Sequence, residues 1–166
     1  MAVETAELER ILNRVHEWTR SADNKVGVLA GSEAALFAYV LSKIEKWWTS
    51  PGQSAPTYLC LAAVTALMLA GIGCAVGALY PRDRDPKRRR SVTFFGDISK
   101  LSLGDYRTKL DRLDADDLRS DYVSQIHVSS RIALVKHRLI RYSAGLFVAG
   151  MTLLGLLRVA VGLGWW

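Results

Sequence analysis

Residues 57–80 read T-Y-L-C-L-A-A-V-T-A-L-M-L-A-G-I-G-C-A-V-G-A-L-Y, a stretch without one charged side chain. A bilayer core about 30 Å thick is crossed by ~20 apolar residues in a helix, so this stretch reads as a membrane span and decides the class of the fold. Working outward, the uncharged gap extends from Lys46 to Arg82, 35 residues in all. Upstream, only Glu33 interrupts residues 26–42; downstream, 16 uncharged residues separate Arg141 from Arg158. The expectation is an all-α membrane protein with spans at 26–44, 57–80 and 142–163. A two-span alternative, with an interfacial third helix, arises because Arg158 closely follows a short apolar run. Snorkelling of the Arg158 head group reconciles it with a full span.

Residues 1–25 are polar and lack the apolar core of a signal peptide, so the first span is expected to act as a retained signal anchor. Leu8, Ile11, Leu12, Val15 and Trp18 recur at spacings of three and four, the period of one helical face. A cytosolic amphipathic helix running straight into the membrane is expected there. Four segments follow: the N-terminal helix 1–25, a transmembrane hairpin 26–80, a basic cytosolic segment 81–141 and a third span 142–166. Pro51, Gly52 and Pro56 mark the turn of the hairpin.

The net charge of +6 is unevenly placed. Residues 81–141 hold fifteen Lys and Arg against nine acids, whereas residues 1–25 hold four against five. Basic segments stay inside, which puts the N-terminus and 81–141 in the cytoplasm and the turn outside. Trp47, Trp48, Tyr58, Trp165 and Trp166 then share the outer interface, with Tyr80 and Tyr142 at the inner one, as expected of interfacial aromatics. The run at 87–90, K-R-R-R, reads chiefly as a headgroup anchor worth about 1 kcal/mol per basic residue. It lacks the interleaved aromatics of a nucleic-acid surface, so no nucleic-acid partner is expected. Cys60 and Cys74, ~21 Å apart along one helix, cannot pair.

Within 81–141, S-V-T-F-F-G-D-I-S suggests an extended or looped piece. Ser102 followed by Asp105 resembles a capping box opening a helix to about Leu113. Asp114 or Asp116 can cap the next helix, which has no Gly or Pro from Ala115 to Ala144 and so can run unbroken into the membrane.

Catalytic signatures are missing: no P-loop, G-x-G-x-x-G, H-E-x-x-H, C-x-x-C or G-x-S-x-G. His16, His127 and His137 read as solvated, with no metal-ligand spacing, so neither an enzyme nor a metal or other cofactor is expected. Ten of thirteen glycines lie in the spans or, as Gly164 does, one residue beyond them, and Gly27-x-x-x-Gly31 and Gly73-x-x-x-Gly77 have the spacing that lets helices approach closely. They could pack the spans of one subunit or join subunits into a homo-oligomer. Glu33, ~12 Å past Lys25 along a helix, costs about 2.5–3.5 kcal/mol to insert. It should face a partner or an aqueous cavity, or else be a neutral acid bonded to Ser32, Tyr39 or another helix.

Three patches, taken in order, carry a family resemblance: W-T-R-S-A-D-N-K at 18–25, Y-P-R with F-F-G-D-I at 80–82 and 94–98 and Tyr106 beyond, and D-Y-V-S-Q-I-H-V-S-S-R-I-A-L-V-K at 121–136. Their order, spacing and flanking spans resemble the Pycsar transmembrane effectors, small bacterial proteins of antiphage defence, over about residues 8 to 160. The resemblance implies a two-gene abortive-infection system in the bacterial inner membrane. An adjacent pyrimidine nucleotide cyclase makes cyclic CMP or cyclic UMP, and the effector responds by impairing the membrane. Under that implication, a cyclic nucleotide between the cytosolic hairpin and the N-terminal helix would meet Lys25, Arg82 and Lys136 with its phosphodiester. Phe94, Phe95 or Tyr106 would face its base, and Asp97, Asp121 or Gln125 its polar edge. Each also has a structural role available, as interfacial anchor or core packing. Gly27, Gly31, Glu33, Gly73 and Gly77 are the candidate packing and gating positions of the membrane part.

Two other functions fit the same residues. One is a constitutive small ion-channel or transporter subunit with Glu33 lining a path. The other, a membrane-anchored enzyme acting on a nucleotide or lipid headgroup, rests only on Asp114, Asp116, Asp117 and Asp121, and a helix N-terminus gathers acids for dipole reasons alone.

Overall fold

A computed structural model describes residues 4–48, 55–80 and 91–163. Five helices follow one another: α1 (Thr5–Trp48), α2 (Ala55–Leu79), α3 (Phe95–Ile98), α4 (Leu103–Asp111) and α5 (Ala115–Gly162). No strand occurs among the described residues. Pro51, Gly52, Arg82, the basic run at 87–90, Trp165 and Trp166 lie outside them, as do the side chains of Trp47 and Trp48.

α1, α2 and α5 are each long and apolar enough to cross a membrane, which supports three spans over two. At 1.5 Å per residue, α1 and α5 are roughly 66 and 72 Å long, about twice the hydrocarbon thickness. Each therefore continues well beyond the bilayer. By contacts the chain divides into two compact units, Met1–Ser21 with Pro81–Val135 and Ala22–Tyr80 with Lys136–Trp166. Both long helices supply residues to both units.

The helix ends follow local chemistry. Ser102 caps α4, its hydroxyl accepting from the Asp105 N–H at 3.1 Å and donating to Asp105 Oδ2 at 2.7 Å. Asp114 caps α5, Oδ1 accepting from the Asp117 N–H at 2.6 Å. These satisfy donors that the first turn leaves without intrahelical partners. Three expectations are corrected. Pro56 lies inside the first turn of α2, where its missing N–H costs nothing. The F-F-G-D-I piece is partly helical, Phe95–Ile98 making one turn entered from an extended Phe94. Trp18 does not join the buried face of α1: Leu8, Leu12 and Val15 are buried, Ile11 partly so, and Trp18 is 57% exposed.

In the unit of Ala22–Tyr80 and Lys136–Trp166, α2 buries Thr57, Leu61, Val64, Met68, Gly71, Ala75 and Ala78. The spacing alternates four and three, a heptad seam. Two apolar clusters form on it. Val40, Leu61, Val64, Met68 and Leu154 make one, with Leu36, Phe37 and Leu153 packed against it; Val26, Ala75 and Ala78 make the other, with Ala30, Leu139 and Ile140. The outer faces carry exposed Val28, Leu59, Leu69, Val76, Leu156 and Val159. Apolar surface on that scale is expected of helices that meet lipid.

Candidate functional site

Two polar constellations stand out, one in each unit. In the unit of Met1–Ser21 and Pro81–Val135, Ser91 and Val92 are buried immediately before α3. Their polar atoms need partners, and α5 provides them. Asp121 Oδ2 accepts from the Ser91 hydroxyl at 2.7 Å, the Val92 N–H at 3.1 Å and the Thr93 hydroxyl at 2.9 Å. One turn on, the buried Gln125 donates through Nε2 to Ser91 Oγ at 2.7 Å and also to Thr93 Oγ1. Ser91 Oγ in turn accepts from the Thr93 and Phe94 N–H groups at 3.1 and 3.0 Å. Asp97 Oδ2 accepts from the Ser91 N–H at 2.9 Å, and the Tyr106 hydroxyl donates to the Val92 carbonyl at 3.2 Å.

Four of the residues singled out from the sequence, Asp97, Tyr106, Asp121 and Gln125, thus converge on one loop and hold it. Phe94 and Phe95 pack against each other with ring centroids 4.7 Å apart and planes tilted by 45°, Phe95 72% exposed. Gly96 admits this arrangement, since a Cβ there would lie 2.6 Å from Phe94 Cε1. Lys25 is exposed. Lys136 is not grouped with the loop; its Nζ donates to Asp23 Oδ1 at 2.5 Å within the other unit. Arg82 lies outside the described residues.

Beside the loop, α4 and α5 enclose a cleft of about 300 Å³ lined by Val92, Lys109, Arg112, Ser120, Asp121 and Ser124, with Leu113 and Asp117 completing it. Of these, sequence reading singled out only Asp121 and, as a rival enzyme's acid, Asp117. The signal for the rest was present as two helical stripes: Lys109 and Arg112 at i, i+3, and Asp117, Ser120, Asp121 and Ser124 at i, i+3, i+4, i+7. Close by, burial pushes the Tyr122 hydroxyl above its ordinary pKa, and the charges of Glu9 and Asp121 add to the shift.

The second constellation is a single polar layer in the membrane unit. Glu33 is 1% exposed, and its Oε1 accepts from the buried Ser143 hydroxyl at 2.7 Å. Oε2 is buried with no hydrogen-bond partner. Of the partners considered for Glu33, another helix provides the one observed: Ser32 instead back-bonds to the Val28 carbonyl at 3.0 Å, and the Tyr39 hydroxyl accepts from Arg158 Nη2 at 3.0 Å. Gly71 of α2 closes the layer, since a Cβ there would meet Glu33 Oε1 at 3.1 Å. The layer lies between the two apolar clusters on each helix, Glu33 between Ala30 and Leu36, Gly71 between Met68 and Ala75, and Ser143 between Ile140 and Leu153.

The glycine pairs chosen from spacing do not do this packing. A Cβ on Gly27, Gly31 or Gly73 would meet nothing within 4 Å, and on Gly77 only Leu139 at 3.7 Å. The close approach falls at Gly71; Gly150, like Gly77, is in ordinary contact, with Met68 at 3.7 Å and Leu67 at 3.8 Å. The alternating seam of α2 is the sequence signal that marks Gly71.

No curated protein and no solved structure matches the chain. The family comparison covers both units: the Pycsar effector protein domain matches residues 7–163, and the chain belongs to the Pycsar effector family of antiphage defence.

Proposed function

We propose that the chain is a ligand-switched effector that impairs the inner membrane when it binds cyclic CMP or cyclic UMP made by a partner pyrimidine nucleotide cyclase. The observation that carries this reading is the family match across residues 7–163, which takes in the polar unit as well as the spans. The polar unit is the sensor. Asp97, Tyr106, Asp121 and Gln125 are its positioning residues, fixing the Ser91–Thr93 loop beside an open cleft. The membrane unit is the responder, with the N-terminus and residues 81–141 in the cytoplasm.

A switch needs a part that is not at its energetic limit. Glu33 fits that role, since a buried carboxyl oxygen without a partner costs about 1–3 kcal/mol relative to a satisfied one. A conformer that gives Oε2 a donor, from water or a second subunit, recovers that energy. Moving such an equilibrium from 1:99 to 99:1 takes roughly 5.5 kcal/mol of differential binding. Several subunits, each with one ligand, reach that more easily than one, which favours a homo-oligomer. The exposed Gly27 and Gly31 leave one face of α1 open to close helix approach.

The test is purified protein in liposomes loaded with a self-quenched dye. Cyclic CMP or cyclic UMP should cause leakage and change the assembly size. Protein that leaks equally without ligand is the constitutive channel instead. Protein that responds to neither nucleotide, in leakage or in size, refutes the reading.

A further inference from the structure

The cleft between α4 and α5 lies against the Asp121 network. Its loop-side wall is secured by one oxygen of Asp121, and the Lys109 and Arg112 side chains take no part in that network. The side chains of Lys109 and Arg112 make no hydrogen bond or ion pair among the described residues. Two cations three residues apart at the end of α4, without a carboxylate, leave charge unmatched at the mouth of a concave site.

The opposite wall has different chemistry. Asp117, Ser120, Asp121 and Ser124 share one face of α5, so carboxylates that only accept hydrogen bonds alternate with hydroxyls that donate and accept. Asp121 is divided between two tasks. Its Oδ2 takes all three bonds from Ser91, Val92 and Thr93, and none of them falls on Oδ1. A simple polyanion is a poor match for a lining that carries two carboxylates along with two cations. A small ligand with one anionic group and several N–H or O–H donors fits both walls, and about 300 Å³ is room for one such molecule.

Resting on the reading that a cyclic pyrimidine nucleotide activates the chain, we infer that the nucleotide seats in this α4–α5 cleft. Lys109 and Arg112 hold its phosphodiester, the guanidinium offering a fork of donors to the two free oxygens. Ser120 and Ser124 face the sugar, and Asp121 Oδ1 accepts from the ribose 2′-hydroxyl or from the base, the cytosine amino group or the uracil N3–H. The same carboxylate then touches ligand through one oxygen and the Ser91–Thr93 loop through the other. Occupancy is thereby communicated to the loop without any residue of α1 entering the site. This differs from a seat against the N-terminal helix, since every residue lining the cleft comes from the loop, α4, α5 or the turn between them.

The experiment is calorimetric titration of cyclic CMP and cyclic UMP into full-length protein in detergent, with Arg112→Gln, Lys109→Gln, Ser124→Leu, Lys25→Gln and Lys100→Gln alongside. Arg112→Gln and Lys109→Gln should each weaken binding on the order of 10- to 100-fold, as expected for a lost hydrogen bond to a charged group. Ser124→Leu fills the cleft and should abolish binding. Lys25→Gln and the exposed Lys100→Gln should bind as wild type does. Hydrogen exchange at the Ser91–Thr93 amides guards against misfolding: retained protection in a non-binding variant supports the site. Wild type that binds while the Arg112, Lys109 and Ser124 variants bind equally well overturns the cleft alone, as does loss of binding in Lys25→Gln only. Wild type that binds neither nucleotide overturns the activation reading and the cleft with it.

Discussion

Asp121 and Glu33 are the acidic groups around which the two units are organised, and the fold treats them in opposite ways. Asp121, which lines the cleft, takes three bonds from the Ser91–Thr93 loop and a longer one from Gln125 on one oxygen, and none of these falls on the other. Glu33 has one oxygen with a single donor and another sealed away with none. The polar unit is thus held by a dense network centred on one carboxylate, with Asp97, Tyr106 and Gln125 adding bonds of their own to the same loop. The membrane unit is held by apolar packing on a heptad seam, with one polar layer that is only half satisfied. The first arrangement fixes a loop; the second leaves a conformational change something to gain.

The largest expected effect is on the network. Asp121→Ala removes the three bonds accepted from the loop, and at the low end of about 1.5 kcal/mol for each bond to a charged group the cost exceeds roughly 4 kcal/mol. Hydrogen exchange at the amides from Ser91 to Ile98 should lose its protection, with Asp121→Asn falling between the two. Unchanged protection in Asp121→Ala would show that the loop is held by Gln125, Asp97 and Tyr106 without it.

In the membrane unit the two partners should behave unequally. Ser143→Ala strips Glu33 of its one donor and should destabilise the detergent-solubilised protein by about 1–3 kcal/mol. Glu33→Leu removes the half-satisfied group altogether, and Ser143 can turn back to a carbonyl one turn earlier. Its thermal midpoint should match or exceed that of wild type while ligand-triggered leakage falls. Equal destabilisation by both substitutions would mean that Glu33 is as well served as Asp121, and the contrast would fail.

Gly71→Ala sharpens the same point on a smaller scale. The added methyl sits 3.1 Å from Glu33 Oε1, and overpacking of this kind costs about 1–3 kcal/mol, here at the low end because the carboxyl is the end of a flexible chain. In a Glu33→Ala background the penalty should disappear. A double-mutant cycle with no coupling would remove Gly71 from the polar layer.

What could be read in the sequence depended on the range of the interaction. The spans, the Ser102 and Asp114 caps and the unbroken α5 rest on local apolar runs and on side chains within three residues of the backbone they bond. The Asp121 network does not: Ser91 lies 30 residues from Asp121 and 34 from Gln125, and nothing local ties those hydroxyls to those partners. Asp97, Tyr106, Asp121 and Gln125 were singled out as chemistry-bearing, whereas their joint target was invisible. Inside the membrane the difficulty was different. A span that is apolar all round gives hydropathy no inner face to mark, so Gly27, Gly31 and Gly73 were as plausible as Gly71. Side-chain size along the seam, rather than polarity, distinguishes them.

The smallest effect concerns Tyr122, beside Asp121 on α5. Burial is the main cause that raises its pKa above the ordinary value of 10.0, and the negative charges of Glu9 and Asp121 raise it further. In the unfolded chain the phenol ionises first, so the folded state retains a proton that the unfolded state has lost. The stability this contributes is fully present below the unfolded value of about pH 10 and is lost as pH rises through the higher folded value. Wild type should therefore lose thermal stability above about pH 10 more steeply than Tyr122→Phe, the difference isolating this group from the other tyrosines and the lysines. Asp121→Asn should lessen that difference without abolishing it, because burial and Glu9 remain. If Asp121→Asn left the alkaline slope unchanged, the donors on Oδ2 would already have neutralised the Asp121 charge for its neighbours. A cleft ligand would then meet Oδ1 as a hydrogen-bond acceptor with little residual field.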